Sequence, residues 1–539
     1  MRMEKIRFVD DTQKSSFPET LEEQKKALET SEVLALYAAN RAELNATRWC
    51  PRYHLVAPVG YLHDPNGLCY WKGHWHLFYQ HCYDETSATD LPGGKNSICW
   101  GHVISDDLVN WKDLPDAIYP NPEKACWSGA VLVEEDRAIA AYFGLGVGIM
   151  VAISTDPLLL NWEKVGEDKI AIPAKDADGK EAPSPLYDPC LFKMNGYYYL
   201  LSGLTYNSGK TGRVQRQEYV YRSQDLAHWE YRGTMLPEID IAGKNNDGAC
   251  PYFFEVGSGE HKRNLLIHFS HSDGPRYALG NMDAENEKFE IITDGKFSIG
   301  GFRFGGIHAP SASPYGDGGA VVVFNMNNTV EGGYPIMSLP QTMTLSGSQN
   351  DTIDFGVVNG VHSLRGAHTA VEPRILAAGE LYVPEEISGD CVEISLEADI
   401  PHQRALELYV LRSPGEEEYT KITVYRTSGN VDQDLVGKYN SQLDTQTTVV
   451  TVDSAHTSSN PNTPIRRPEM CEASLDRDET VKLDVFLDRG MLEVFVNGKA
   501  CIAQRVYPER EDSCGITLRA VGGDARILSL EKWDMNSIY

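Results

Sequence analysis

Five stretches of this chain open alike, and the openings return at a period of roughly 60 residues. They are His63-Asp-Pro-Asn-Gly-Leu-Cys-Tyr, Trp127-Ser-Gly-Ala-Val-Leu-Val, Tyr187-Asp-Pro-Cys-Leu-Phe, Ala249-Cys-Pro-Tyr-Phe-Phe and His308-Ala-Pro-Ser-Ala-Ser. Each is followed by a strongly β-forming run: Trp75-His-Leu-Phe-Tyr-Gln, Ala138-Ile-Ala-Ala-Tyr-Phe, Tyr197-Tyr-Tyr-Leu-Leu-Ser, Leu265-Leu-Ile-His-Phe-Ser and Ala320-Val-Val-Val-Phe-Asn. Three units close on a polar turn leading to tryptophan (Trp111, Trp162, Trp229), with a fainter echo at Asp283–Phe289. Short strands, aromatic anchors and radial repetition describe a five-bladed β-propeller. A sandwich with accidental similarity fits less well, because openings and runs recur in register.

The flanking regions differ in character. Phe17 to Asn45 predicts a helix, with a capping-box pattern at Thr20–Glu23 and an apolar stripe of Leu21, Ala27, Leu28, Leu34, Leu36 and Ala38. Such a stripe buries against the body of the protein; a partner-binding helix is the alternative. Beyond Gln341 a Gly- and Asn-rich segment reads as a linker. Alternating strands follow, and a hairpin from Met491 has Asn497-Gly498 at its tip, so the second half predicts an antiparallel β-sandwich. The expected division is a helical extension over 1–47, a propeller over 48–343, a linker over 344–370 and a sandwich over 371–539. The fold class is all-β, with an N-terminal helix.

The 539 residues carry 49 basic and 77 acidic side chains, a formal charge of −28. That balance argues against nucleic acid and anionic membranes as partners. No stretch has the apolar length of a signal peptide or a membrane span. Eleven scattered cysteines, several in apolar runs, are expected to be buried free thiols, which suggests a cytoplasmic setting.

In a propeller the innermost strands converge on one axial pocket. The openings thus bring together Asp64, Ser128, Asp188, the Asp247–Cys250 stretch and His308. Two carboxylates across a pocket can cleave a glycosidic bond, one as nucleophile, while another group protonates the leaving oxygen. A further carboxylate can stabilise charge on the sugar ring. Trp71, Tyr79, Trp100, Trp127 and Tyr252 could wall sugar faces, although most such aromatics are core. No histidine–carboxylate grouping shows zinc spacing, and the chemistry calls for no metal or organic cofactor.

Arg48-Trp-Cys-Pro-Arg-Tyr-His54, Asp64-Pro-Asn-Gly67 with Phe78-Tyr-Gln80, Trp100-Gly-His-Val-Ile-Ser105, Trp127-Ser-Gly129, Asp188-Pro189 and Asp488-Arg-Gly-Met-Leu-Glu-Val-Phe-Val-Asn-Gly498 stand in an informative order. Together they resemble glycoside hydrolase family 32, the β-fructofuranosidases, over nearly everything from Arg48 to Tyr539. The resemblance implies Asp64 as nucleophile and Asp188 as transition-state stabiliser. It also implies Gln80, Trp127 and Ser128 as contacts to a fructosyl unit. His63, Asn66, Tyr187 and His308 are expected to line the same substrate site.

The chain departs from the family pattern at His63, which replaces Asn, at Tyr187, which replaces Arg, and near Lys95, where the family has a pocket Trp. Above all, Ala249 stands where the family has its acid/base Glu. Three explanations fit the alanine. Asp247, two residues earlier, has taken the acid role, with Glu255 a weaker substitute. Alternatively the residue was changed to trap substrate, or the protein binds sugar without turnover. The resemblance implies a retaining β-fructofuranosidase acting on a small fructoside of sucrose, inulin or levan type. A fructosyltransferase or a non-catalytic carbohydrate-binding protein are the alternatives. A homodimer through the sandwich is an expectation that no residue fixes.

Overall fold

The computed structural model describes residues 16–82, 98–176, 178–208, 213–236, 248–271, 274–298, 305–327, 334–347, 350–426, 445–476 and 478–539. Asp247 and Lys95 lie outside the described residues.

Among the described residues, five antiparallel sheets of four or five strands follow one another along the chain. Their first strands are Tyr61–Trp71, Cys126–Val133, Pro189–Met194, Ala249–Val256 and Ile307–Tyr315. Each first strand contacts those of its two neighbours, so the five close a ring. This is the five-bladed propeller expected from the repeat. The second strands are the β-forming runs, and Leu77, Ala140, Leu200, Leu266 and Val322 in them are fully buried. The polar turns recur for a physical reason. Asp107, Asp156, Asp225 and Asp283 each accept backbone N–H groups two to five residues onward, which closes the turn locally.

The predicted helix is two helices, α1 (Leu21–Glu29) and α2 (Glu32–Leu44). Ser31 interrupts them because its hydroxyl accepts from Leu34 N at 3.3 Å and caps α2. The capping box at the first helix is not formed, since Thr20 donates to the Glu23 carboxylate rather than accepting from the backbone. Phe17, Leu21 and Leu28 pack against Leu114, Leu158 and Leu160 of blades 1 and 2. Arg41 forks onto Asp113 on the outer strand of blade 1. The helices lie across the outside of the propeller.

The segment 344–370 is not a linker. Thr352–Val357 pairs with Gln341–Ser346 as the outer strand of blade 5, and Arg365–Val371 already belongs to the sandwich. An outer strand half open to solvent lacks a continuous apolar run, so its Gly- and Asn-rich flanks dominate the pattern. The sandwich has a seven-stranded and a six-stranded sheet among the described residues. Between them lies an aliphatic core that includes Leu396, Leu408, Val485 and Leu518. Asn497 and Gly498 take positive φ at the hairpin tip, as such a turn requires. That tip touches blade 5, where Phe355 N donates to Gly498 O at 2.7 Å.

Propeller and sandwich share one hydrophobic core, in which Phe486, Met491 and Phe495 pack with propeller side chains. At its edge Asp488 accepts from the backbone N–H groups of Arg52, Tyr53 and His54 at 2.7, 2.8 and 3.1 Å. His54 Nδ1 meets Asp488 Oδ2 at 2.8 Å and its Nε2 meets Glu493 Oε1 at 3.2 Å, all fully buried. With carboxylates on both nitrogens the imidazole is a double donor, hence a cation. Burial opposes that charge, but the two carboxylates outweigh it and push the His54 pKa up to about 9. All eleven cysteines are free thiols, nine of them buried. No helix among the described residues is long and apolar enough to cross a membrane.

Candidate active site

The pairing of first and second strands explains how the site is made. In blade 1, Leu62 pairs with His81 and Pro65 with Tyr79, so His63 and Asp64 together oppose Gln80. The same one-residue excess puts Trp127 and Ser128 opposite Phe143, Cys250 and Pro251 opposite His268, and His308 and Ala309 opposite Asn325. These are β-bulges, which re-aim a side chain and end regular pairing. Four of the five openings are therefore bulges at the same level of the ring. In blade 3 the ladder begins just after Asp188. Asp188 and Cys250 both sit at positive φ (+31° and +48°), a left-handed conformation unusual for side-chain-bearing residues and often found at functional sites. Gly67 (φ +52°) closes the Asp64 turn, and a Cβ there would lie 2.5 Å from Val131 Cγ2, so a side chain has no room.

Asp64 is the hub. Its Oδ2 accepts from Ser128 Oγ at 2.7 Å and from Gln80 Nε2 at 3.4 Å, while Gln80 also donates to Ser128 at 2.7 Å. Its Oδ1 accepts from Asn325 Nδ2 at 3.3 Å and faces His308 Nδ1 and His63 Nδ1 at 3.4 and 3.5 Å. Burial alone would favour the protonated acid. The two histidines, first as hydrogen-bond partners and then through charge, hold Asp64 well below the usual carboxylate range. A buried, ionised carboxylate ringed by donors on fixed strands has the chemistry to act as a nucleophile.

Asp188 is 3 % exposed. Its Oδ2 accepts from Cys250 N at 3.3 Å and from the Cys250 thiol at 3.4 Å. Its pKa moves the opposite way, up to about 7: burial is the first cause and the Asp64 charge the second, only partly offset by Cys250 and the charge of His271. The Cys250 thiol, itself raised by burial and then by Asp188 and Asp64, also meets Ser128. The two aspartates thus share one poorly solvated pocket, with Ser128 and Cys250 between them. Like charges in such a pocket drive their pKa values apart.

The other expected site residues fall on both sides of the wall. Trp127 and Tyr187 are half-buried, stacked edge to face at 5.9 Å, and both lean on Phe143, which gives an apolar rim. Asn66 is fully buried, and its amide oxygen accepts from Gly129 N at 3.2 Å, which ties blade 1 to blade 2. Trp71, Tyr79, Trp100 and Tyr252 are buried core. Ala249 packs its methyl with Cys250, Phe269 and Ala309. Glu255 lies towards the outer end of its strand, half-exposed and paired with Lys262.

Asn325, His271 and the bridging role of the Cys250 thiol escaped the sequence reading. A signal existed for Asn325: the runs of blades 1 and 5 end in Gln80 and Asn325, polar residues that the repeat places at the axis.

Among the described residues, His81, Cys99 and Asp116 form one cluster with the spacing of a metal site. His81, however, has its two ring nitrogens at 2.9 Å from Asp116 Oδ1 and from the Val59 carbonyl, and the Cys99 thiol donates to Asp116 Oδ2 at 2.9 Å. The group is closed by its own hydrogen bonds.

Two family profiles match the chain: "Glycosyl hydrolases family 32 N-terminal domain" over residues 54–309 and "Glycosyl hydrolases family 32 C terminal" over residues 360–534. The chain belongs to glycosyl hydrolase family 32. Among curated relatives, the cell wall isozyme of beta-fructofuranosidase from Zea mays is 26% identical over 392 residues, 65% of this chain and 62% of that one. The match thus spans a little under two thirds of that relative's length. Insoluble isoenzyme 3 of beta-fructofuranosidase from Oryza sativa subsp. indica is 24% identical over 558 residues, 90% of each chain. The solved fructan 1-exohydrolase IIa from Cichorium intybus shares the fold, with a TM-score of 0.74 at 19% identity, covering 91% of this chain and 98% of that one. This member of family 32 carries Asp64 and Asp188 at the axis of its propeller and Ala249 beside them.

Proposed function

We propose that this protein hydrolyses β-fructofuranosidic bonds of a small fructoside by retaining double displacement. Asp64 attacks the anomeric carbon, and Asp188 stabilises the positive charge that develops on the ring. The observation that carries the reading is the placement of two buried carboxylates in one site: Asp64, ringed by donors on blades 1, 2 and 5, and Asp188, held by Cys250, whose thiol also meets Ser128. Gln80, Ser128 and Asn325 fix the Asp64 carboxylate, so it is oriented before the reaction begins. Trp127 and Tyr187 offer a sugar face an apolar rim. The beta-fructofuranosidases and the fructan exohydrolase among the relatives support fructose as the transferred unit.

The test is fructose release from sucrose, inulobiose and levanbiose, with the product anomer followed by NMR. Release with retained configuration from at least one is expected; silence on all three removes the reading. Ala249 favours one rival, sugar binding without turnover. Saturable binding of these sugars with no fructose released selects it.

The histidines around Asp64 make a pH prediction. A nucleophilic carboxylate works above its pKa and fails as pH falls through it. In His308→Ala, Asp64 loses the partner that contributes most to its low pKa. The acid limb of kcat/KM should therefore shift towards neutral pH. An unchanged acid limb would show that His308 does not hold the Asp64 charge.

A further inference from the structure

Double displacement needs a proton for the leaving oxygen, and the acid must stand across the anomeric carbon from the nucleophile. Asp64 is ionised and cannot supply it. His63 and His308 both face Asp64 Oδ1, on the nucleophile's own side. Asp188 has Oδ2 tied down by two donors of Cys250. Among the described residues, His271 is a further imidazole near this site. Ala249 pairs across the sheet with Phe269, and its methyl packs there. His271 follows two residues on, just past the strand end and exposed, with its ring edge-on to Phe269 at 5.0 Å. Its centroid is 6.0 Å from that of His308, whose ring in turn lies 4.2 Å from Phe269. Phe269 is thus a buried platform that carries one histidine towards Asp64 and a second towards the opening.

We propose that His271 is the general acid/base of this site, a histidine doing the work for which the position at Ala249 has no ionisable group. The inference rests on the retaining fructosidase reading above. In the first step an Asp64 oxygen bonds to the anomeric carbon and the glycosidic C–O bond breaks. Its electron pair goes to the leaving oxygen, which takes a proton from the His271 imidazolium. In the second step neutral His271 accepts a proton from the water that attacks the anomeric carbon, and Asp64 leaves as carboxylate. Among the described residues, the charged and titratable groups that face His271 include Asp188 on blade 3 and His308 on blade 5, with Asp64 beyond His308. Exposure lets the imidazole reach a leaving group that extends out of the pocket.

The test uses His271→Gln and His271→Ala in the full chain, assayed on sucrose or another natural fructoside and on an aryl fructoside, whose leaving group needs no proton. Loss of a general acid costs about 10²–10⁴-fold. That loss in kcat is expected on the natural substrate, with a far smaller one for bond cleavage in the aryl fructoside, read as the first turnover. The alkaline limb of the pH profile, present in wild type because the acid must hold its proton, should flatten in both variants. Added azide should restore turnover of the aryl fructoside by replacing water in the second step. Equal losses on both substrates, or none, overturn the assignment, as does leaving-group sensitivity that appears only in Asp188→Asn. Wild type that cleaves neither substrate removes the fructosidase reading itself, and this inference with it.

Discussion

Asp64→Ala is expected to lower kcat on an aryl fructoside by at least about 10⁴-fold, the scale seen when a covalent nucleophile is deleted. KM should move little, because the rim at Trp127 and Tyr187 is untouched. The aryl substrate makes the test sharp: it bypasses the acid, so the loss reports the nucleophile alone. The variant should also fold. Its carboxylate is a net of five partners on blades 1, 2 and 5, but Ser128 and Gln80 remain bonded to each other without it. Activity that survives Asp64→Ala within tenfold of wild type would remove the nucleophile from this account.

The second large effect concerns the junction rather than the pocket. His54→Ala is expected to destabilise the protein by about 3–5 kcal/mol, because it leaves Asp488 and Glu493 as buried carboxylates without their cation. The measurement is the urea midpoint. The pH dependence has a definite sign. The folded pKa of His54 lies near 9, above the 6.5 of a free imidazole, so its contribution is complete below pH 6.5 and is lost as pH rises through 9. Wild type should weaken across that window, and His54→Gln, which cannot titrate, should lose that part of the slope. A wild-type midpoint flat between pH 6.5 and 9 would contradict the buried imidazolium. The network ties the segment that leads into blade 1 to the sandwich, so function depends on it indirectly.

The repeat made the propeller legible because each opening and each apolar run carries the same physical signal: short strands around one axis with polar residues only where the axis is reached. Asp64 and Asp188 stood out as carboxylates on Pro-containing turns. The bulges were not legible, since an extra residue in one strand is defined by its partner strand, not by its own sequence. For the same reason Asn66 read as a site residue. It lies one residue past Pro65, between two bulges, and its amide oxygen accepts from Gly129 N across the contact with blade 2. Asn325 hid at the end of an apolar run, and His271 lies just past another. The break at Ser31 and the outer strand Thr352–Val357 were missed because neither interrupts or completes a hydrophobic pattern.

The most direct test of the account is to quench the reaction with an aryl fructoside early, digest the protein and map the label by mass spectrometry. A single fructosyl unit on Asp64, absent from Asp64→Asn, is the predicted result. An unlabelled protein that releases product of inverted configuration, or a label on any other carboxylate, would contradict it.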